Sequence, residues 1–348
     1  MNKLTKVGCS ALCGSLAVIS AANAGDLSVT GGADVTYFSH GGGETGNPFG
    51  MASAVTFKGS GELDNGWTFT ATIAEGDGVA YSATNVDIVM GGLGSFNINQ
   101  GNSGNGIAAY DNVLPTAWEE AHGAGLSGGV KTAMGVGNSS NVQYSTPTVL
   151  GTTIKLAYAH EVGTTDNADK SVSGASNTST GIGYDATIKI NPSLGTEILS
   201  GLNLYAGGSV IEQYDNANQL EDKYEGVGAV TYALGPVEIG AMWSGSYDGS
   251  EAASTYHSYK NHGFGVAFNV NDDLSVSYGE YQSRKAGYES DMAQSTGDAG
   301  RVVEVTSWQA AYTMGGASFR VADVKADNVL FSAGDNQSAT IVSMGLAF

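Results

Sequence analysis

Residues 264–278 read FGVAFNVNDDLSVSY, and this stretch contains the pattern on which the fold depends. Apolar side chains occupy every second position on both sides of the polar triplet 271–273. Alternation with a period of two places one type of side chain on each face of a β-strand. A cluster of Asn and Asp between two such runs favours a turn. The stretch therefore predicts an antiparallel hairpin with one apolar face.

The same pattern recurs from residue 25 to residue 348, in 16 candidate strands joined by two alternating kinds of connection. The short connections are 64–66, 91–94, 147–151, 191–200, 235–236, 271–273 and 315–316. The long, polar connections are 39–50, 76–84, 101–140, 161–180, 213–225, 246–262, 284–302 and 325–338. Alternating short and long connections predict an up-and-down array with two different ends, as in outer-membrane barrels.

An open sheet of this size would leave two unpaired edges. In lipid, each unsatisfied backbone N–H or C=O group on such an edge would cost several kcal/mol. We therefore predict an all-β fold, a 16-stranded antiparallel transmembrane β-barrel around an aqueous lumen. The apolar positions then face lipid and the polar positions face water. Aromatic residues near strand ends suit the two interfacial girdles. They are Tyr37, Trp67, Tyr144, Tyr158, Trp243, Tyr278 and Trp308.

Two local features refine this prediction. Asp64-Asn65-Gly66 lies between alternating runs, and Asn-Gly is typical of a type I′ hairpin turn, which needs positive φ at both central residues. The apolar alternation changes phase between Val305 and Trp308, which predicts a β-bulge in that strand.

The N-terminal residues 1–24 have the features of a secretory signal. Lys3 and Lys6 give a basic start, an apolar run follows, and Ala22-Asn23-Ala24 matches the cleavage pattern. We expect cleavage near Ala24 and a mature barrel domain at 25–348. Both cysteines, Cys9 and Cys13, lie inside this signal, so the mature chain would contain no disulfide and no thiolate.

The charge balance excludes some functions. The chain has 34 acidic and 14 basic residues, and removal of Lys3 and Lys6 leaves 12 basic residues and a net charge of −22. This sign disfavours nucleic-acid binding. The five histidines are scattered without H-E-x-x-H spacing, and Glu119 and Glu120 are adjacent rather than arranged as a converging acid–base pair. We therefore predict no enzyme activity, no catalytic residue and no zinc site.

The connection 101–140 differs from all the others. Loops of this length without secondary structure are uncommon in compact folds and are usually functional or disordered. This one contains Tyr110, Trp118 and several aliphatic residues, which a disordered linker would largely lack. We therefore predict that it folds back into the barrel, with Tyr110 and Trp118 as its anchors.

Several segments give the chain a resemblance to the Gram-negative general porins, a family of trimeric 16-stranded channels. They are GELDNGWTF at 61–69, NVQYSTP at 141–147, YDNVLPTAWEE at 110–120 and the last strand, which ends at Phe348. The resemblance covers nearly all of 25–348. It implies a homotrimer in the outer membrane of a Gram-negative bacterium, surrounded by lipid, that passes small hydrophilic solutes and ions. It also implies that Phe348 belongs to an assembly signal.

The resemblance further implies that 101–140 is the constriction loop, with Asp111, Glu119 and Glu120 as its acidic side chains. Family members commonly set an arginine cluster opposite these acids, but this chain has only Arg284, Arg301 and Arg320. The basic candidates on the water-facing positions are Lys58, Lys155, Lys189 and Arg320. We expect Lys58 to be the nearest to the loop, because family resemblance places its strand there. The alternative is that these side chains are ordinary solvated charges at other depths.

Three functions remain open from the sequence. A diffusion channel with a cation preference is favoured by the acidic loop and the negative net charge. The alternatives are a substrate-specific channel and a structural or adhesin barrel without an open pore. No cofactor is expected, although acidic loops such as Asp215-Asn216 to Glu221-Asp222 offer oxygen ligands for calcium; the alternative there is a solvated loop.

Overall fold

The computed structural model describes residues 25–41, 47–77, 79–101, 104–163, 180–192, 197–214, 221–249, 258–286 and 301–348. The predicted signal, residues 1–24, lies outside the described residues, so its cleavage stays a prediction.

Sixteen strands follow one another along the chain, as the alternation predicts. They are β1 (Leu27–His40), β2 (Phe49–Glu62), β3 (Thr68–Gly76), β4 (Val79–Val89), β5 (Ser95–Gln100), β6 (Ser140–Ser145), β7 (Thr152–Ala159), β8 (Thr180–Ile190), β9 (Leu202–Gln213), β10 (Lys223–Leu234), β11 (Val237–Tyr247), β12 (Ser258–Asn269), β13 (Leu274–Ala286), β14 (Val302–Met314), β15 (Ala317–Asp327) and β16 (Gln337–Ala347). Each pairs antiparallel with its neighbours in the chain, and β16 pairs with β1 to close the barrel. The predicted fold class is confirmed.

The hairpin at 264–278 shows how the sequence forms these elements. The side chain of Asn271 accepts hydrogen bonds from the backbone N–H groups of Asp273 and Leu274, each at 2.9 Å. The backbone N–H of Val270 donates to the carbonyl of Leu274 at 2.9 Å, which starts the ladder between β12 and β13. The Asx side chain thus satisfies the turn's backbone groups where no strand partner exists.

The two faces of the wall differ as expected from the alternation. Large apolar side chains point outward and are exposed, for example Trp243 at 59% and Trp308 at 66%. Aromatic pairs also form across neighbouring strands on this face, including Tyr278 with Trp308 at 4.7 Å between ring centroids.

In the described residues, no helix has the length and apolar character needed to cross a membrane.

The predicted type I′ turn at 64–66 is wrong, although the hairpin is present. Gly66 has φ +81°, but Asn65 is not among the residues with positive φ. The N–H of Gly66 donates to Leu63 at 2.8 Å, and that of Leu63 donates to the carbonyl of Trp67 at 2.7 Å. The connection therefore has three residues, so only the last of them needs the left-handed conformation.

The predicted bulge between Val305 and Trp308 is also wrong. Strand β14 pairs with β13 and with β15 in unbroken register. Val303 and Val305 instead lie on the inner face, where they are fully buried by a segment inside the barrel. The change of apolar phase therefore marks a covered part of the inner wall. Register shifts occur elsewhere, at Ala74/Gly76 and at Thr180/Gly183.

Candidate pore constriction

The connection between β5 and β6 turns into the barrel as soon as β5 ends. We call its residues 104–139 the constriction segment. The side chain of Asn105 donates to Asn97 at 2.8 Å and to Asn141 at 2.7 Å, and both partners are inward-facing amides of β5 and β6. Gln143 accepts the N–H of Gly106 at 2.9 Å. These amides direct the chain inward, since they replace the strand partners it would otherwise need.

Two carboxylates on the inner wall hold the outgoing and returning parts of this segment. Asp185 of β8 accepts the N–H of Ile107 at 2.8 Å and that of Val136 at 3.2 Å through the same oxygen, Oδ2. Glu225 of β10 accepts the N–H of Gly135 at 2.6 Å. Hydrogen bonds to a charged acceptor are roughly twice as strong as neutral ones. Neither role was predicted from the sequence, because alternation places Asp185 on the inner face but no local signal identifies its partners.

The middle of the segment is fixed to β13 and β14. Gln309 of β14 accepts the N–H of Glu119 at 2.9 Å and donates to the carbonyl of the same residue at 2.7 Å. Ser277 of β13 accepts the N–H of Ala117 at 2.9 Å. The segment therefore follows the inner wall from β8 at least to β14.

The far part of the segment packs against apolar residues on the inner face of β14, β15 and β16. Close to β16 and β1, the Cα of Gly125 leaves room for Ile341 and Phe38, which lie 3.1 and 3.2 Å from where a Cβ would stand. We call this group the apolar seal; it comprises Ala124, Leu126, Val303, Val305, Ala322, Val324, Ala326, Val329, Phe331, Ala339 and Ile341. Val329 and Phe331 come from the connection before β16. Apolar contacts thus hold the far part of the segment against the inner wall.

The three acidic candidates differ in exposure. Asp111 and Glu119 are half-buried, while Glu120 is only 6% exposed. Burial raises the pKa of all three carboxyls, and the neighbouring charges of Glu119 and Asp111 raise that of Glu120 further, to about 7. For Glu119, the charge of the nearby Arg320 opposes the effect of burial on the pKa, while that of Asp34 adds to it. Asp111 and Glu119 are therefore better placed than Glu120 to charge the lumen.

The two aromatic candidates both lie against the wall. Tyr110 is buried, and its ring meets that of Tyr205 on β9 edge-on at 5.1 Å. Trp118 is half-buried against the apolar cluster of the barrel interior, and the guanidinium carbon of Arg320 lies 5.1 Å from its ring centroid. These contacts fit the expected role as anchors, which remains to be tested by substitution.

The basic candidates are not gathered in one cluster. Arg320 of β15 lies beside Trp118 and forms an ion pair with Asp34 of β1. Lys58 lies on β2, six residues along the strand from Ala52, which is the partner of Asp34. That separation is roughly 20 Å along a strand. The expectation that Lys58 is the nearest cation to the loop stays a prediction, whereas Arg320 is a basic candidate in contact with a side chain of the constriction segment.

The remaining two lysines share another part of the wall. Lys155 and Lys189 lie on neighbouring strands β7 and β8, and the Nζ of Lys189 lies 5.4 Å from the ring centroid of Tyr205. The ring of Tyr205 also contacts Tyr110 of the constriction segment.

The constriction segment also carries a histidine. His122 contacts the ring of Tyr281 at 4.5 Å, and burial lowers its pKa to about 4, so it is neutral at physiological pH.

Metal binding has no support in the described part of the chain, where no three His, Cys, Asp or Glu side chains are grouped as ligands. Asp215 and Asn216 lie outside the described residues. The expectation of calcium in that loop therefore stays a prediction.

A closed antiparallel barrel with an apolar outer face and a segment folded into its lumen defines an outer-membrane channel protein. Residues 8–347 match the family model described as Gram-negative porin. The chain therefore belongs to the Gram-negative porin family. It is a protein of the outer membrane, and its barrel forms a channel for passive diffusion.

Solved structures share this fold at low sequence identity. The chain is similar to OmpF of Salmonella typhi in complex with daunomycin (13% identity, 93% of this chain and 98% of that chain, TM-score 0.66). It is also similar to an anion-selective porin from Comamonas acidovorans (11% identity, 93% and 99%, TM-score 0.62) and to OmpT of Vibrio cholerae (11% identity, 95% and 100%, TM-score 0.62). A search of curated proteins gave no significant match.

Proposed function

We propose that this channel prefers cations among the small hydrophilic solutes that pass through it. The observation that carries the proposal is the absence of cationic partners for the acidic side chains on the constriction segment. Within the described residues, no ion pair involves Asp111, Glu119 or Glu120. An uncompensated carboxylate in a narrow, partly desolvated passage attracts cations and repels anions.

The fold alone does not determine the sign of this preference, because one structural neighbour is described as anion-selective. The charged side chains at the constriction must decide it. The predicted net charge of the mature chain, −22, acts in the same direction as the acidic segment.

The test is the reversal potential of the purified porin in a planar bilayer under a tenfold KCl gradient. Wild-type protein should give a permeability ratio of potassium to chloride above one. Glu119→Gln should reduce this ratio by roughly two- to fivefold, since unit charges 4 Å apart in water interact by about 1 kcal/mol. Asp64→Asn, which changes the same formal charge at the short turn between β2 and β3, is the matched control and should leave the ratio nearly unchanged.

Other outcomes would favour the alternatives. Clear anion selectivity of the wild-type channel would contradict the proposal. Block of the current by a single solute at low concentration would favour a substrate-specific channel. Insertion of folded protein without conductance would favour a structural or adhesin barrel.

We also propose that the chain assembles as a homotrimer in outer-membrane lipid. Membership of the porin family supports this assembly. Chemical cross-linking of the detergent-solubilised protein, followed by mass measurement of the products, should give species up to three chains. Products that end at one chain under conditions that cross-link a trimeric porin would contradict the proposal.

A further inference from the structure

An ion pair spans three strands at the seam where the barrel closes. Nη2 of Arg320 on β15 donates to Oδ1 of Asp34 on β1, and β16 lies between these two strands. The side chain of Arg320 is 18% exposed and that of Asp34 is 47% exposed. Both project from the inner face of the wall, so the pair lies within the lumen.

A glycine in the intervening strand leaves the space for this contact. Gly345 of β16 is the direct partner of Asp34 on one side and of Ser318 on the other. A Cβ at Gly345 would stand 2.5 Å from Nη2 of Arg320 and 2.7 Å from Oδ1 of Asp34. Those distances are shorter than any Cβ contact allows, so a side chain at this position would compete with the ion pair for the same space.

Arg320 also lies next to the constriction segment. Its guanidinium carbon is 5.1 Å from the ring centroid of Trp118, and its charge lowers the pKa of the adjacent Glu119 against the larger effect of burial. The arginine therefore interacts electrostatically with two carboxylates, one on the wall and one on the segment. It pairs with the wall carboxylate, and no ion pair joins it to Glu119 in the described structure.

We propose that Asp34 is a residue that determines ion selectivity, because it neutralises Arg320 and leaves Glu119 as uncompensated charge at the constriction. Without Asp34, the guanidinium would be an unpaired cation that acts on Glu119. The summed charge of Asp34, Arg320 and Glu119 is negative, and without Asp34 the remaining pair would be neutral. The inference rests on the proposed cation preference and identifies the pairing that maintains it.

The test compares charge variants in the same planar bilayer under a KCl gradient. Asp34→Asn should lower the potassium-to-chloride permeability ratio by about two- to fivefold, as expected for one unit charge near a narrow passage. Arg320→Gln should raise the ratio, because it leaves both Asp34 and Glu119 uncompensated. Asp34→Glu, which retains the charge and extends the side chain by one methylene, should restore most of the wild-type ratio. Asp64→Asn again controls for the change in total charge.

The outcomes separate this inference from the proposed function. If the wild-type channel is cation-selective but Asp34→Asn behaves like Asp64→Asn, the inference is wrong and the proposed function stands. If wild-type protein shows no cation preference but Asp34→Asn still shifts the ratio toward chloride relative to Asp64→Asn, the inference stands and the proposed preference is wrong. If Asp34→Asn fails to fold, the permeability ratio of Arg320→Gln provides the test. A rise in the potassium-to-chloride ratio would support the inference, and a shift toward chloride would overturn it.

Discussion

The side chain of Gln309 forms two hydrogen bonds with the backbone of Glu119, 190 residues earlier in the chain. Its Oε1 accepts the N–H of Glu119 at 2.9 Å, and its Nε2 donates to the carbonyl of Glu119 at 2.7 Å. Gln309 is 6% exposed. One buried amide therefore supplies the two backbone hydrogen bonds that a neighbouring strand would otherwise make. It supplies them at Glu119, whose carboxylate is a proposed determinant of selectivity.

Substitution of Gln309 by Leu should loosen the constriction segment. The change removes both bonds and leaves the N–H of Glu119 without its partner, at about 1–3 kcal/mol, while the carbonyl of Glu119 keeps the hydroxyl of Thr116 as a donor. We expect a lower midpoint of thermal unfolding in detergent and greater fluctuation of the open-channel current. Gln282→Leu is the matched control, because Gln282 lies on the outward face of β13 and bonds only Glu280 and Glu304. Equal current noise in the two variants would contradict the role of Gln309.

Removal of Asp185 should weaken the attachment of both ends of the constriction segment. Asp185→Ala leaves the N–H groups of Ile107 and Val136 unpaired, and hydrogen bonds to a charged acceptor contribute about 1.5–3 kcal/mol each. The expected result is a lower free energy of unfolding and more frequent closures in single-channel records.

Asp323 provides the control for this change. It is an outward-facing aspartate of β15 whose side chain accepts a bond from the hydroxyl of Thr340 on β16 at 3.2 Å. Asp323→Ala should therefore leave the closures at the wild-type frequency. If Asp185→Ala closes no more often than Asp323→Ala, the attachment through Asp185 does not stabilise the open channel.

The charge of Glu120 should make ion selectivity depend on pH near neutrality. Burial raises its pKa in the folded state to about 7 from an ordinary value of 4.5. Between these values the folded chain holds a proton that the unfolded chain has lost. The contribution of Glu120 to stability is therefore complete below about pH 4.5 and is lost as pH rises through about 7.

The corresponding expectation for the channel is a cation preference that increases from pH 5.5 to pH 8.5 as Glu120 ionises. Reversal potentials across this range measure the effect, and Glu120→Gln should remove the step near pH 7. His122 does not titrate in this window, because burial lowers its pKa to about 4. An unchanged pH profile in Glu120→Gln would assign the step to another group.

The apolar seal should be intolerant of added volume at Gly128. A Cβ there would lie 2.9 Å from Val305, 3.1 Å from Val303 and 3.2 Å from Ala326. Gly315 has nearly the same backbone conformation, φ +60° against +61°, but open space around it. Gly128→Ala should therefore cost about 1–3 kcal/mol more than Gly315→Ala, because only the first variant overpacks a core. Equal unfolding midpoints in the two variants would show that the seal is loosely packed.

The barrel itself was largely predictable from the sequence. Alternation such as that of 264–278 decides which side chains share a face, and turn residues such as Asn271 decide where a strand reverses. Both effects act between residues a few positions apart. The strand number, the two kinds of connection and the outward direction of residues such as Trp308 follow from them.

Errors arose where a distant segment changed the surroundings of a strand. Val303 and Val305 suggested a bulge, because apolar residues on the inner face of a porin wall are unexpected without knowledge of the segment that covers them. Lys58 was favoured on family resemblance, since alternation gives the face of a side chain but not its distance from the loop.

The sequence by itself therefore determined the fold, the inward return of the long connection and the acidic side chains on it, since each depends on local pattern or composition. Only the tertiary structure decided how that connection is held and which charges remain unpaired. Asp34 and Arg320 are 286 residues apart and meet only because the last strand closes on the first. Such contacts depend on the register of the whole ring, which no local run of residues contains.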